Sequence, residues 1–185
     1  SKATRLISKH DCFIDTAGTG SSRAKTFNIS TAAAFVIAGA GLPVAKHGNR
    51  AASSKSGSAD LLTALGVNVS AIPLVSENAL NDINICFMFA PLYHGATARV
   101  AGIRRQLGIH TTFNLLGPLS NPAGAPRQII GVWHRDLAEK LAEVLAALGT
   151  ESEMDDLTNA QHQIELAERA ASTVSDQTTA QRLRA

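Results

Sequence analysis

Residues 46–60 read Lys-His-Gly-Asn-Arg-Ala-Ala-Ser-Ser-Lys-Ser-Gly-Ser-Ala-Asp, a polar stretch without any branched aliphatic or aromatic side chain. It carries three cations, one imidazole, one carboxamide, four hydroxyls and two glycines, and a helical pattern over 59–65 follows its last glycine. A polar loop that ends at a helix N-terminus presents unpaired N–H groups and the positive end of the helix dipole, which together favour an anion. The same composition is also typical of a flexible linker. Because apolar segments flank the stretch on both sides, we favour a phosphate site in a structured loop.

The composition is that of a globular protein with enough residues for one domain and a sizeable core. Of its 185 residues, 45% are hydrophobic and 17% are charged. The formal net charge of +2 is too small to indicate binding to nucleic acid or to a membrane surface. Cys12 and Cys86 lie in apolar runs, so we expect two buried thiols rather than a disulfide. With no secretory pattern at its start, we expect a soluble cytoplasmic protein.

Short apolar runs alternate with helical patterns along most of the chain. The apolar runs predict strands at 12–15, 42–45, 85–89 and 128–133. The helical patterns lie at about 28–40, 59–65, 76–83, 93–107 and 136–148. Strands separated by helices of this length predict an α/β fold with a mostly parallel sheet and helices on both faces. Ligands of such sheets bind beyond the carboxyl ends of the strands, where the two polar loops of this chain begin.

Two segments fall outside this alternation. Residues 111–127 contain three prolines and two glycines, which predicts a structured loop. Residues 151–185 contain no glycine, proline or aromatic residue and no strand-like run. We expect them to form one helix, near 157–171, that frays into a disordered tail.

A second glycine loop, Gly18-Thr19-Gly20-Ser21-Ser22, follows the first predicted strand. Its amides could approach a phosphate closely, although most Gly-x-Gly sequences are ordinary turns. It lacks the third glycine of a dinucleotide site and the Gly-Lys-Ser/Thr of a P-loop. Two such loops in one parallel sheet nevertheless favour a small phosphorylated ligand.

Five motifs of this chain resemble the anthranilate phosphoribosyltransferases. The motifs are Asp15 to Gly20, Thr26 to Ala34, Lys46 to Asp60, Phe89-Ala90-Pro91 with His94, and Phe113 to Leu119 with Asn121-Pro122. Members of this family transfer phosphoribosyl from phosphoribosyl pyrophosphate (PRPP) to the amine of anthranilate, giving N-(5-phosphoribosyl)anthranilate and pyrophosphate. They act with Mg²⁺ in tryptophan biosynthesis, usually as homodimers formed through a helical domain.

The resemblance runs from about residue 11 to residue 151 and implies a domain organisation. It implies a nucleoside phosphorylase/phosphoribosyltransferase-like large α/β domain at 11–150, with the N-terminal helical domain largely missing. Residues 1–10 would be a remnant or linker, and residues 151–185 a divergent helical or disordered tail.

The resemblance also implies which residues bind each substrate. PRPP would contact Gly18, Ser21, Ser22, Thr26, Asn28, Ile29, Ser30, Thr31, Lys46, His47, Gly48, Asn49, Arg50, Ser53, Ser54 and Ser58. Anthranilate would contact Gly18, His47, Asn49, His94 and Arg104, and Ser30 would also bind the Mg²⁺. An aryl amine attacks an anomeric carbon with carbocation character, so the protein must chiefly fix geometry and neutralise the departing pyrophosphate. The guanidinium of Arg104 suits the planar carboxylate of anthranilate.

The chain departs from the family pattern at several places. Gly20-Ser21-Ser22 stands where the family has Gly-Gly-Asp, and Gly95-Ala96-Thr97 stands where it has Pro-Ala-Met. The family's later Asp-Glu pair for Mg²⁺ has no counterpart, since Asp155-Asp156 lies in the predicted tail. With these segments missing, we expect an exposed edge strand and apolar surface patches.

Two alternative functions stay open at this stage. One is a non-catalytic remnant that binds a phosphate ligand or a partner protein. The other is a relative of the pyrimidine nucleoside phosphorylases, which share the architecture and a phosphate loop. The motifs at 28–34 and 113–122 speak against the second alternative.

Overall fold

The protein folds around a five-stranded parallel sheet with the strand order β3-β2-β1-β4-β5. The computed structural model describes residues 5–20, 27–51, 56–107, 109, 111–149 and 151–156. The strands are β1 Ile14–Gly18, β2 Val44–Gly48, β3 Ile85–Phe89, β4 Arg127–Val132 and β5 Glu151–Asp156. Every neighbouring pair of strands is parallel, which confirms the predicted α/β architecture.

Helices cover both faces of this sheet. They are α1 Ile29–Gly39, α2 Ser58–Ala64, α3 Pro73–Ile83, α4 Ala90–Tyr93, α5 Gly95–Leu107, α6 Phe113–Leu116 and α7 Asp136–Ala147, with a 3₁₀ turn at Pro118–Ser120. On one face, called the α1 face, Ile14 and Val44 pack against Ile37 of α1. On the other, called the α7 face, Ile130 packs against Leu145 of α7. The alternation of side chains along each strand supplies both cores.

The first two strands begin later than the sequence predicts. β1 was expected at 12–15 and β2 at 42–45, yet both extend to the glycines at 18 and 48. The polar stretch at 46–60 therefore begins inside the sheet, with Lys46 only 3% exposed and His47 only 7% exposed. The sequence pattern missed this because buried polar side chains in a strand are satisfied by partners that are distant in sequence.

Four further expectations need correction. The helix predicted from Tyr93 to Leu107 is broken at His94, which has φ −119° and ψ 67° and separates α4 from α5. The helix predicted at 76–83 starts at Pro73, whose fixed φ suits the first helical turn. The loop at 111–127 contains α6 and the 3₁₀ turn. Cys86 is buried as expected, but Cys12 is exposed.

The structure contradicts the prediction that no strand follows residue 150. Residues Glu151–Asp156 form β5, which pairs in register with the whole of β4. Its polar sequence concealed it, since the backbone hydrogen bonds of an edge strand do not require apolar side chains. Asp155 and Asp156 therefore lie at the carboxyl end of β5, and the loops after β1 and β2 also begin at the carboxyl ends of their strands. The rest of the predicted tail, with its helical pattern at 157–171, lies outside the described residues.

The segment before β1 is anchored to the domain. The Leu6 N–H donates to the Pro122 carbonyl at 3.1 Å, and the Leu6 side chain is buried in the core. The backbone N–H groups of Ile7 and Lys9 donate to side chains of α3, at 3.0 and 2.9 Å. Residues 5–9, predicted as part of a remnant or linker, thus pack against the sheet.

The expected apolar surface patches are present. Along and beside α3, the side chains of Ile72, Leu74, Val75 and Ile83 are each at least half exposed. β3 and β5 are the two edge strands of the sheet. Among the helices of the described part, none has the length and apolarity needed to cross a membrane.

Candidate active site

The carboxyl ends of β1 and β2 separate, and side chains replace the backbone ladder between them. The two strands are in register at the pair Ile14–Val44, whereas β1 stays paired with β4 along its full length. Beyond that pair, the His47 N–H donates to Asp15 Oδ1 at 3.1 Å. The Lys46 ammonium donates to the Thr16 carbonyl. The backbone ladder between the two strands is therefore interrupted at the edge where α/β sheets bind ligands.

Lys46 points to the α1 face and reaches the N-terminus of α1. Its Nζ lies 3.2 Å from Ser30 Oγ and 3.4 Å from Thr16 Oγ1, and Thr16 Oγ1 donates to the Ser30 carbonyl at 2.8 Å. Burial lowers the pKa of Lys46 to about 8, although the Asp15 carboxylate acts in the opposite direction. A buried cation beside the positive end of a helix is an arrangement that an anionic ligand would stabilise.

His47 points to the opposite, α7 face. Its Nδ1 lies 3.2 Å from the Gly117 carbonyl oxygen, so Nδ1 carries the proton, since a carbonyl oxygen only accepts. Its Nε2 lies 3.2 Å from His94 Nε2, which then donates, and the two rings meet edge to face at 4.9 Å. Burial lowers the pKa of His47 to about 4 and also lowers the pKa of His94. The pair is therefore neutral near pH 7.

Two buried groups of the site have opposite effects on stability as the pH falls. The pKa of His47 is lowered from 6.5 to about 4, so its contribution to stability is lost as the pH falls through this window. Burial raises the pKa of Asp15 from 3.8 to about 6, so its contribution increases as the pH falls from 6 toward 3.8.

We expect opposite changes in two variants when their stability is compared with wild type during acidification. Between pH 6.5 and 4, Asp15→Asn should lose about 2–3 kcal/mol relative to wild type, and His47→Asn should gain a similar amount. Urea titrations at several pH values measure both differences. Parallel pH profiles for the three proteins would contradict the assignment.

The loop after β2 is anchored at both of its described ends. Asp60 Oδ2 accepts hydrogen bonds from the N–H groups of Ala51 at 2.9 Å and Gly57 at 2.8 Å, and its Oδ1 accepts from Arg50 Nη1 at 3.0 Å. These bonds lower the pKa of Asp60, with the backbone N–H of Ala51 the first cause. Asn28 Nδ2 donates to the Gly57 carbonyl at 3.3 Å and so joins this loop to the start of α1. These contacts fix the two described ends of the loop, residues 49–51 and 56–60.

Sequence reasoning missed two carboxylates of the site, Asp15 and Asp60. Asp60 had a readable signal, because an acidic residue three positions after a helix N-cap commonly bonds back to the N-cap N–H. Asp15 had none, because its partner, His47, lies 32 positions away on the next strand.

Most residues predicted to bind PRPP lie at the carboxyl ends of β1 and β2 or at the starts of the helices that follow them. Gly18 ends β1, the four residues Asn28 to Thr31 start α1, Gly48 ends β2 with Asn49 and Arg50 following, and Ser58 starts α2. The Ile29 side chain is 6% exposed and packs inward, which leaves only its backbone near a ligand. Five other predicted contacts, Ser21, Ser22, Thr26, Ser53 and Ser54, lie outside the described residues.

The residues predicted to bind anthranilate lie on several elements: Gly18 ends β1, His47 lies in β2, Asn49 follows β2, His94 separates α4 from α5, and Arg104 lies on α5. Arg104, on α5, places its guanidinium carbon 5.2 Å from the centroid of the Phe113 ring. Phe113 begins α6, and α6 is followed directly by Gly117, whose carbonyl meets His47. His47 and His94 are in direct contact, whereas Arg104 contacts Phe113, which precedes Gly117 by four positions in the chain.

The comparison with known families settles the ancestry of this chain. Residues 10–182 match the family model of the glycosyl transferase family, a/b domain. The chain belongs to this family. It is 59% identical over 148 residues to the anthranilate phosphoribosyltransferase of Pelotomaculum thermopropionicum, an alignment that covers 80% of this chain and 43% of the relative. The chain therefore spans less than half the length of this relative.

Solved structures agree with the assignment to the glycosyl transferase family. The anthranilate phosphoribosyltransferase of Thermus thermophilus is 46% identical, with a TM-score of 0.76 over 80% of this chain and 45% of that one. The Saccharomyces cerevisiae enzyme in complex with PRPP and Mg is 34% identical, with a TM-score of 0.75 over 82% of this chain and 43% of that one. Both similarities support the observed fold independently of the contacts described above.

Proposed function

We propose that this glycosyl transferase domain transfers phosphoribosyl from PRPP to the amine of anthranilate, releasing pyrophosphate. The observation that carries the proposal is that the side chains of two consecutive residues, Lys46 and His47, point to opposite faces of the sheet. Lys46 enters the α1 face beside Ser30, and His47 enters the α7 face beside His94. The end of β2 therefore stands between an anion-binding side and an acceptor side, as a two-substrate transfer requires.

The α1 face suits the pyrophosphate leaving group. As the anomeric C–O bond breaks, negative charge increases on the pyrophosphate, and the Lys46 ammonium and the N-terminus of α1 are positioned to neutralise it. Their positions are fixed before the ligand arrives, since Lys46 already bonds to the Thr16 carbonyl and to Ser30. This preorganisation stabilises the transition state without reorganising the protein.

The donor atoms of the α1 face fit a Mg²⁺ ion brought by the phosphorylated substrate. Mg²⁺ prefers oxygen ligands and usually binds through one or two carboxylates, water and substrate phosphates. Ser30 Oγ lies at the start of α1, beside the Lys46 ammonium. Within the described side chains no group of three acidic, His or Cys residues could hold a metal alone. We propose Ser30 as a protein ligand of this ion, which would supply further neutralisation of the pyrophosphate.

The α7 face suits the acceptor. The Arg104 guanidinium can pair with a planar carboxylate, and the neutral imidazoles of His47 and His94 can hydrogen-bond an aryl amine. The amine nitrogen forms the new bond to the anomeric carbon and then loses a proton. Because an N-alkylated aryl ammonium is strongly acidic, this loss does not require a strong base. Orientation of the amine is therefore the main task of these residues.

Formation of phosphoribosyl-anthranilate tests this proposal. The 185-residue chain, with PRPP and Mg²⁺, should consume anthranilate, which is followed by the loss of its fluorescence. Arg104→Ala should raise the KM for anthranilate about 30-fold or more, because a charged hydrogen-bonding partner of the carboxylate is removed. Arg99→Ala, an exposed residue on the same helix, is the matched control and should keep the wild-type KM.

The outcome of this assay distinguishes the three functions considered above. Turnover that Arg104→Ala weakens supports the proposed transferase. Absence of turnover with retained PRPP binding in calorimetry would favour a non-catalytic phosphate-binding protein. Activity with a pyrimidine nucleoside and phosphate would instead favour the phosphorylase alternative.

Three further features are proposals for the whole protein. We propose that the α/β domain extends from residue 11 to residue 156, because β5 completes the sheet. The homodimer implied by the resemblance is tested by analytical ultracentrifugation. A cytoplasmic location is proposed because substrates with several phosphate charges do not cross membranes unaided, and no nucleic-acid partner is expected at a net charge of +2.

A further inference from the structure

Two side chains hold the backbone of β2 on either side of Lys46. Asn121 Nδ2 donates to the Ala45 carbonyl at 2.9 Å, and Asp15 Oδ1 accepts from the His47 N–H at 3.1 Å. The Asp15 side chain is completely buried. The two peptide groups held in this way flank Lys46, the residue placed against the pyrophosphate. We call the two side-chain hydrogen bonds to the β2 backbone the clamp.

These two peptide groups are the ones that β1 would otherwise pair with. In a parallel ladder, successive residues of a strand direct their backbone groups to opposite neighbours. Since the Val44 N–H donates toward β3, to the Asn84 carbonyl at 2.9 Å, the groups of Ala45 and His47 face β1. Buried backbone groups must be paired, and the side chains of Asp15 and Asn121 supply the partners that the separated strand does not.

The clamp matters most for the acceptor side. The Lys46 ammonium has its own anchors in Thr16 and Ser30. The His47 ring is held by the Gly117 carbonyl and by His94, and the direction in which it leaves the strand depends on the clamped His47 peptide. Loosening the clamp should therefore displace His47 more than Lys46.

We propose that Asp15 and Asn121 are positioning residues, which clamp the parted end of β2 and thereby orient His47 toward the acceptor substrate. This inference rests on the proposed transferase function. Neither residue needs to touch a substrate in this role. Asp15 contributes as a hydrogen-bond acceptor, so an asparagine at this position should serve nearly as well.

The test compares Asp15→Ala, Asp15→Asn and Asn121→Ala for both substrates. Asp15→Ala and Asn121→Ala should each raise the KM for anthranilate about tenfold and change the Kd for PRPP by less than about threefold, since each removes one buried hydrogen bond. Asp15→Asn should stay within about threefold of wild type for both. Ser76→Ala, which removes a buried bond to the Phe87 carbonyl away from the site, is the matched control and should change neither constant.

Other outcomes would overturn the clamp. Equal losses for both substrates, with a fall in melting temperature, would show a general structural role. Asp15→Asn as impaired as Asp15→Ala would show that the charge of Asp15 acts, not its hydrogen bond. If Asp15→Ala does not fold, Asp15→Asn and Asn121→Ala still decide the question.

A readout without turnover separates the clamp from the transferase proposal. The ¹⁵N NMR spectrum of histidine-labelled protein reports the Nδ1–H tautomer of His47 directly. That signal should be averaged or lost in Asn121→Ala and kept in Asp15→Asn and Ser76→Ala. An unchanged His47 signal in Asn121→Ala would overturn the clamp, whether or not the protein turns over anthranilate.

Discussion

Replacement of Lys46 by methionine is expected to weaken PRPP binding by about 100-fold or more. Lys46 is the buried cation of the α1 face, 3% exposed and bonded to uncharged oxygens of Thr16 and Ser30. Loss of a desolvated, hydrogen-bonded charge opposite a bound anion costs about 2–5 kcal/mol of binding free energy. The effect on stability should be small, because removal of the buried Lys46 charge also leaves the buried Asp15 carboxylate without its nearby cation.

Isothermal calorimetry with PRPP and urea unfolding measure these two effects separately. Lys140→Met is the matched control, since it makes the same exchange at an exposed position of α7. It should leave both the affinity and the stability near wild type. If Lys46→Met binds PRPP normally, Lys46 is a structural partner of Thr16, and the pyrophosphate site lies elsewhere.

Replacement of Gly57 by alanine is expected to distort the loop after β2 and to abolish PRPP binding. A Cβ on Gly57 would lie 2.4 Å from the Ala51 nitrogen and 2.6 Å from both the Arg50 carbonyl carbon and the Asn49 oxygen. All three are backbone atoms, so relief requires the two sides of the loop to separate. That movement breaks the bonds of Ala51 and Gly57 to Asp60 and should cost about 2–3 kcal/mol of stability.

Gly39→Ala is the matched control for this substitution. Gly39 lies in the last turn of α1, and a Cβ there meets nothing within 4 Å. Alanine should therefore be neutral or stabilise the protein by about 0.5 kcal/mol, because it restricts the unfolded chain. Chemical unfolding measures the stability of both variants, and calorimetry measures their affinity for PRPP. Wild-type affinity in Gly57→Ala would mean that the loop adapts and is not preorganised for the phosphate.

The sequence alone determined the architecture and predicted the location of the candidate site. Apolar runs separated by helical patterns specify a parallel sheet because parallel strands need crossover connections, and the strand predicted at 85–89 is observed with the same bounds. Polar, glycine-containing stretches after the first two strands located the candidate site at the carboxyl edge. These signals are local in sequence, and hydrophobic periodicity and turn chemistry are sufficient to read them.

The boundaries and partners within the site were decided only by the tertiary structure. The sequence did not predict that Lys46 and His47 lie in a strand, because their burial depends on Thr16, Ser30 and Gly117, which are 16 to 70 positions away along the chain. Nor did it predict β5, whose pairing with β4 depends on backbone hydrogen bonds and not on side-chain pattern. A buried polar group is tolerated only where distant partners converge on it, and that convergence exists only once the chain has folded.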